Sequence, residues 1–255
     1  MLKKIILFIL VSSFLFSEDY TLEYGIGTGV LSYPNYIGSN SQSILVFPHP
    51  FISFKYKDLT IDKNGIRQKL FNIDGLRAKL SAGGMLPSKS TGAREGMKDF
   101  DVTFELGPTI EYMIYNQDNF NFYFSLPLRG VFSTDFKSID YVGIISDPKL
   151  ALNWNINGYD FDLTTGPVFA NSQYHEYYYG VATEYTTPLR SYYKAKSGYS
   201  GYATSFGFSK RIDSSFWVGA YIKYYDLHGV VYDDSPLLEN NHALFSGFSI
   251  AYIFN

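Results

Sequence analysis

A chain of 255 residues with a formal net charge of -3, 46% hydrophobic residues and no cysteine is long enough for a sizeable core and has no disulfides to hold it. Its mild acidity gives it no electrostatic hold on nucleic acid, and the missing cysteine excludes an anchor through an N-terminal lipidated cysteine. Aromatic residues reach 19%, almost all of them Tyr and Phe, while the mean hydropathy is only -0.08, so the apolar residues must be interleaved with polar ones.

The first segment, MLKKIILFILVSSFLFSEDY, has a basic start at Lys3 and Lys4, an apolar run from Ile5 to Val11 continued by Phe14 to Phe16, and Ser17 before Glu18. That order describes a cleaved secretory signal peptide over 1–17, leaving a mature domain over 18–255. Loss of the two lysines, with no acid before Glu18, would take the charge from -3 to -5. After this segment no apolar run approaches the roughly 18 residues that a membrane-spanning helix needs.

From there the period is two. Leu22, Tyr24, Ile26 and Val30 alternate with Glu23 and the glycines of GIGTG. Segments 44–56 and 76–86 follow, then the longest example, in which Phe100, Val102, Phe104, Leu106, Ile110, Tyr112 and Ile114 face one way and Asp101, Thr103, Glu105, Thr109 and Glu111 the other. Sustained alternation of this kind means a strand, long enough here to cross a bilayer at a tilt. Further strands are expected at 119–132, 148–157, 159–170, 198–211, 216–226 and 242–254. No helix pattern stands out after the leader.

The connections alternate in length. Tight turns fall at 116–119, 157–160 and 211–215, while 31–43, 87–98, 133–147, 171–197 and 227–241 are long and rich in Gly, Ser, Asn, Asp or Tyr. Short turns at one end and long loops at the other are the pattern of an outer-membrane barrel. The stretch 57–75 keeps the parity if it holds a hairpin around Asn64-Gly65. The fold class expected is therefore all-β: a transmembrane antiparallel up-and-down barrel of about 12 strands, or ten if 57–75 is periplasmic. Phe248, Ile250, Tyr252 and Phe254 would put a greasy face to lipid on the strand that closes the ring, the end read by the barrel assembly machinery.

Chemistry is sparse. His49, His175, His228 and His242 have no metal spacing; HEYYYG lacks the second histidine of a zinc-protease motif, and GIGTGV lacks the lysine of a phosphate loop. No serine stands in a nucleophile setting, so no catalytic residue, cofactor or metal is expected and the protein is read as no enzyme. The inward faces carry both signs of charge. Arg77 or Lys79 is expected to approach Asp101 or Glu105, and Arg129 to serve Glu111 or Glu105, because these positions share the inward parity of consecutive strands.

The segments GTGVLSYPNYIGSNSQSILVFPHPFISFKY (27–56), EYYYGV (176–181) and DDSPLL (233–238), with AYIF at the close, resemble the MltA-interacting protein/OmpV family of outer-membrane proteins. The resemblance runs from about Glu23 to the C-terminus. It implies a monomeric barrel without cofactor in the cell outer membrane of a Gram-negative-type bacterium. It further implies a structural or interaction role, as a scaffold joining a murein transglycosylase to a murein synthase. The alternatives are a narrow passive channel or a surface adhesin. Two of the motifs fall in the expected outside loops, where murein enzymes do not reach.

Overall fold

The computed structural model describes residues 20–57, 59–62, 65–73 and 75–254, with side chains at all of these except 62 and 65–73. The expected leader and Asn255 lie outside the described residues.

Strands β1 (Tyr20–Pro34), β2 (Gln42–Tyr56), β3 (Leu59–Asp62), β4 (Gly65–Ile73), β5 (Leu76–Met85) and β6 (Val102–Gln117) pair in chain order, each antiparallel to the last. After them come β7 (Phe120–Pro127), β8 (Arg129–Thr134), β9 (Ile139–Ser146) and β10 (Lys149–Ile156). The remaining strands are β11 (Tyr159–Ala170), β12 (Gly198–Arg211), β13 (Phe216–Asp226) and β14 (His242–Phe254). β14 pairs with β1 from Phe254↔Tyr24 to Ser246↔Ser32 and closes the ring.

Two staves of the ring are broken strands. β7 and β8 both pair with β6 in one register, Thr109↔Pro127 and Leu106↔Gly130. β9 and β10 likewise share a partner, β11. Pro127 and Pro148 stand at the two breaks, and a proline withholds the N–H that a ladder bond needs. Counting each broken pair as one stave, the pairings of the described residues make a ring of twelve. The hairpin inside 57–75 supplies two of them, with Asp62 paired to Gly65, so Gly65 is a strand residue and not the turn residue expected.

Alternation of faces holds around the wall. Leu106, Ile110, Tyr112 and Ile114 of β6, Ile222 and Tyr224 of β13, and Phe248, Ile250, Tyr252 and Phe254 of β14 are all exposed on the outside. Their inward neighbours Thr109, Glu111, Ala251 and Ile253 are buried. Aromatic and aliphatic side chains outside, small and polar ones inside, is the arrangement that lipid on one side and a narrow lumen on the other select. The protein is an outer-membrane β-barrel.

Three expectations fail at the outer end. Segment 133–147 is not a loop, because β8 and β9 carry a hairpin up to Asp135 and Ser138. Phe100 does not face lipid: it lies outside β6, bridged to Ser88, and is buried under the loops. Segment 171–197 contains a helix, α1 (Ser172–Tyr179). Asn171 caps it by accepting from the Tyr174 N–H, and Tyr174, His175, Tyr178 and Tyr179 form its buried side. Eight residues, five of them tyrosine or histidine, leave too short a period to read against a background of strands.

Candidate functional site: a packed outer cap above a charged lumen

The four long outer connections, 35–41, 86–101, 171–197 and 227–241, fold together over the outer mouth. Their centre is aromatic: Tyr36, Phe100, Tyr174, Tyr178, Tyr179, Tyr193 and Tyr232 belong to one buried cluster with Val181, Leu227 and Leu237. Tyr179 and Tyr232 stack with ring centroids 3.7 Å apart and planes 11° from parallel. Their hydroxyls are satisfied by backbone carbonyls, Tyr179 donating to Ile37 at 2.8 Å and Tyr232 to Ser200 at 3.1 Å. Burial pushes both phenols above the usual tyrosine range, Tyr179 well above it. They stay neutral donors.

Three polar side chains tie the loops to one another. Glu239 accepts from the Tyr36 hydroxyl at 3.0 Å, the Ser39 hydroxyl at 3.3 Å and the Ala93 N–H at 3.1 Å, so one carboxylate joins three loops. Arg94, 4% exposed, donates to the Tyr178 carbonyl at 2.9 Å and lies 4.0 Å from the Phe100 ring centre. Burial lowers its pKa to about 10, which leaves it charged at neutral pH. Arg190 donates to the carbonyls of Tyr185, Ala93 and Glu95. Buried guanidinium groups held this way act as fixed forks for backbone oxygens.

The three sequence segments that carry the family resemblance meet in one place. Tyr36 from the first donates to the Leu237 carbonyl of the third at 2.6 Å. Ser235 from the third donates to the Tyr179 carbonyl of the second at 2.8 Å. Residues 201 and 56 positions apart in the chain meet in the cap.

Below the cap the lumen carries ion pairs. Lys79 Nζ lies 2.6 Å from Glu111 Oε1, a diagonal pair on β5 and β6. Arg129 Nε is 3.0 Å from Glu105 Oε2; the guanidinium also pairs with Asp147, which holds Lys149 at 2.8 Å. Of the partners expected for Lys79, neither Asp101 nor Glu105 is the one found. The register sets Lys79 opposite Thr109, one step from Glu111, while Asp101 precedes β6 and pairs with Lys98 at 2.8 Å. Arg77 is directly opposite Glu111, but its Nε is buried without a hydrogen bond among the described residues. Asp147, the hub of the cluster, falls within a stretch expected to be a loop. Extending the 148–157 alternation back by one residue puts it on the same face as Lys149.

On the other side of the lumen His49 crosses β1 to reach Ser249, Nε2 to Oγ 2.6 Å, while its Nδ1 donates to the Pro50 carbonyl. Gly27 makes the crossing possible, since a Cβ there would lie 2.7 Å from the imidazole. Between these walls lies a cavity of about 470 Å³, touched by Lys79, Glu111, Arg129, Lys149, Trp217 and Tyr221.

Solved structures similar to this chain include the NanC porin, 8% identical over 91% of this chain and 98% of that one, with a TM-score of 0.41. OmpT, an outer membrane protein of Vibrio cholerae, is 10% identical over 94% and 99%, TM-score 0.38. The outer membrane channel DcaP of Acinetobacter baumannii is 7% identical over 92% and 97%, TM-score 0.37. No curated protein sequence matches. The family described as MltA-interacting protein MipA matches residues 26–254, nearly the whole chain, and the protein belongs to that family.

Proposed function

We propose that this protein is a sealed, non-enzymatic barrel whose periplasmic end holds a murein transglycosylase, the kind of partner that the family description names. The observation that carries the reading is the cap. Four loops tied by Glu239, Arg94 and the Tyr179–Tyr232 stack pack a buried aromatic cluster at the outer mouth, which supports a closed barrel over an open passage. The paired lumen charges work in the same direction, because paired carboxylates and cations present less free charge to a passing ion than an open ring does.

A partner in the periplasm meets the other end, where the turns around Asp118, Gly158 and Asp213 and the Arg211–Glu23 pair form the rim. The test is a pull-down with the full chain from solubilised envelopes. Retention of a lytic transglycosylase, lost when the 116–119 and 211–215 turns are replaced by Gly-Ser, is the expected result. Stable single-channel steps from the purified protein in a planar bilayer, with no enzyme retained, would overturn it in favour of a passive channel.

A further inference from the structure

The lumen has two unlike sides. On β2 and β13 three inward rings lie along the strands and not across the barrel. The benzo ring of Trp217 covers Gly219, where a Cβ would come to 2.5 Å from it. Tyr221 reaches over its partner Gly247 on β14, and a Cβ there would again stand 2.5 Å from the ring. Phe47 is opposite Gly29 and lies over it in the same way, at 3.3 Å. A ring seated on glycine turns one face to the wall and leaves the other to the lumen. Tyr221 accordingly keeps 41% of its surface exposed although it points inward.

Half a turn round the ring the lining is polar. In the order of the staves, β6 and the β7–β8 stave stand opposite β14 and β1. Here Lys79 is held by Glu111, Arg129 by Glu105 and Asp147, and Lys149 by Asp147. Asn153 donates to Asp162 at 2.6 Å, and Ser81 and Thr109 share a hydrogen bond of 2.6 Å. The cavity of about 470 Å³ touches both sides, the three rings on one and these ions and hydroxyls on the other. It lies below the cap. Ser209 and Trp217, which also touch it, are each two residues from the 211–215 turn at the periplasmic rim.

We propose that the lumen binds a neutral saccharide of one or two pyranose rings, stacked on Trp217 and Tyr221 with its hydroxyls turned to the ionic side. The cations of that side already hold carboxylates, so an ionised guest would have to displace an existing partner. An aliphatic chain would cover the ion pairs without bonding to them. A pyranose with equatorial hydroxyls meets both sides at once. Its C–H faces are apolar and slightly positive, which suits the negative face of an aromatic ring, and its rim both donates and accepts. The paired ions are donors and acceptors fixed in advance, so little ordering remains when the hydroxyls arrive. The volume lies within the range of small-ligand sites. This reading goes beyond the tethering of a partner and does not depend on it.

The chain has two tryptophans, and Trp154 stacks on Phe161 on the outward parity of β10. In Trp154→Phe, Trp217 is the sole tryptophan. Cellobiose added to the full chain in an amine-oxide detergent, which carries no sugar head, should shift its emission saturably to the blue. Tyr221→Ala should weaken binding at least fivefold. Gly219→Ala, which pushes the indole off its seat, should weaken it at least tenfold, and Lys149→Met at least threefold. Each variant is scored only as a barrel that migrates folded in an unheated gel, and Tyr221→Ala carries the test if Gly219→Ala does not fold. Sorbitol, which has the hydroxyls without the ring face, should give no saturable shift. No saturable response to cellobiose or to diacetylchitobiose overturns the site. An equal response to sorbitol, or affinity unchanged in Tyr221→Ala, overturns the stacking, and affinity unchanged in Lys149→Met overturns the ionic side. Tighter binding of diacetylchitobiose than of cellobiose supports the site and assigns its class as an acetamido sugar. None of these readouts involves the transglycosylase, so they stand or fall apart from it.

Discussion

The wall and the cap of this molecule are made under different rules. In the wall a position needs only the right parity and roughly the right bulk: Leu106, Ile110 and Tyr112 are interchangeable in kind, because lipid accepts any of them. In the cap identity matters. A phenylalanine at Tyr36 would leave the Leu237 carbonyl and Glu239 without their shared donor. The difference follows from what each surface faces. Hydrocarbon is isotropic and tests apolarity alone, whereas a packed loop cluster has no ladder to satisfy its backbone and must do so with named side chains.

The comparison breaks most visibly at Tyr232. It is fully buried and stacked on Tyr179, so Tyr232→Ala should cost the cap about 3–5 kcal/mol, the usual range for a large buried aromatic. If cap and wall are separate layers, urea should expose the 171–197 segment to protease while the barrel still migrates as a folded species. Simultaneous loss of both would show a single cooperative unit.

The wall has a different sensitivity. Phe248→Arg or Ile222→Arg puts a charge on the lipid face and should cost roughly 2–4 kcal/mol in a refolding titration. Arg at Ser249, on the inward face, should be milder. Thr103 is inward as its parity requires, yet it is no tolerant lumen site: it is buried with its hydroxyl 3.4 Å from that of Tyr178. Arg there should behave as a cap lesion, opening 171–197 to protease. Equal costs at Phe248 and Ser249 would refute the register of β14.

Between the two layers sits the ion cluster. Glu105→Ala removes one of the two carboxylates around Arg129, but Asp147 remains, so the cost should be about 1–3 kcal/mol, the scale of a hydrogen bond to a charged group. Adding Asp147→Ala should cost more than the sum of the two single changes, since the guanidinium then loses both partners in a half-buried site. Strict additivity in that double-mutant cycle would show that the two carboxylates act independently.

This division also explains what could be read from the chain beforehand. Parity is a local property, so the lipid faces of β6, β13 and β14 were legible residue by residue, while the count stayed at about twelve or ten until the 57–75 hairpin was seen to pair, and the loop expected at 133–147 is a strand hairpin. Parity narrowed the partner of Arg129 to Glu111 or Glu105, and the structure pairs it with Glu105, two residues off direct register. The exact partner of Lys79 does not follow, because alternation fixes the face but leaves register shifts of two residues free, and the contact to Glu111 depends on Lys79 standing opposite Thr109. The cap was illegible for a deeper reason. Its contacts join Tyr36 to Leu237 and Glu239, and Arg94 to Tyr178, pairs far apart in sequence with no period linking them.

The smallest expected effect is one of pH, and it too should separate the layers. His175 is fully buried on α1, with its Nδ1 donating to the Lys196 carbonyl at 2.6 Å and its Nε2 3.0 Å from the Ser200 hydroxyl. Burial outweighs the Lys196 contact and holds its pKa below the ordinary value of about 6.5. A histidine in an opened cap therefore takes its proton first as the pH falls. The opened state then binds more protons than the closed one, and closure weakens on going down through about 6.5 until the folded pKa is reached. Above that window the cap should be insensitive to this group. Hydrogen exchange at amides of 172–179 should accelerate several-fold between pH 7 and pH 5 after correction for intrinsic rates, while amides paired between β13 and β14 should not respond. His175→Gln, which cannot take a proton, should flatten the profile. A pH response of equal size in both regions, or one that persists in His175→Gln, would assign the sensitivity to the lumen carboxylates and not to the cap.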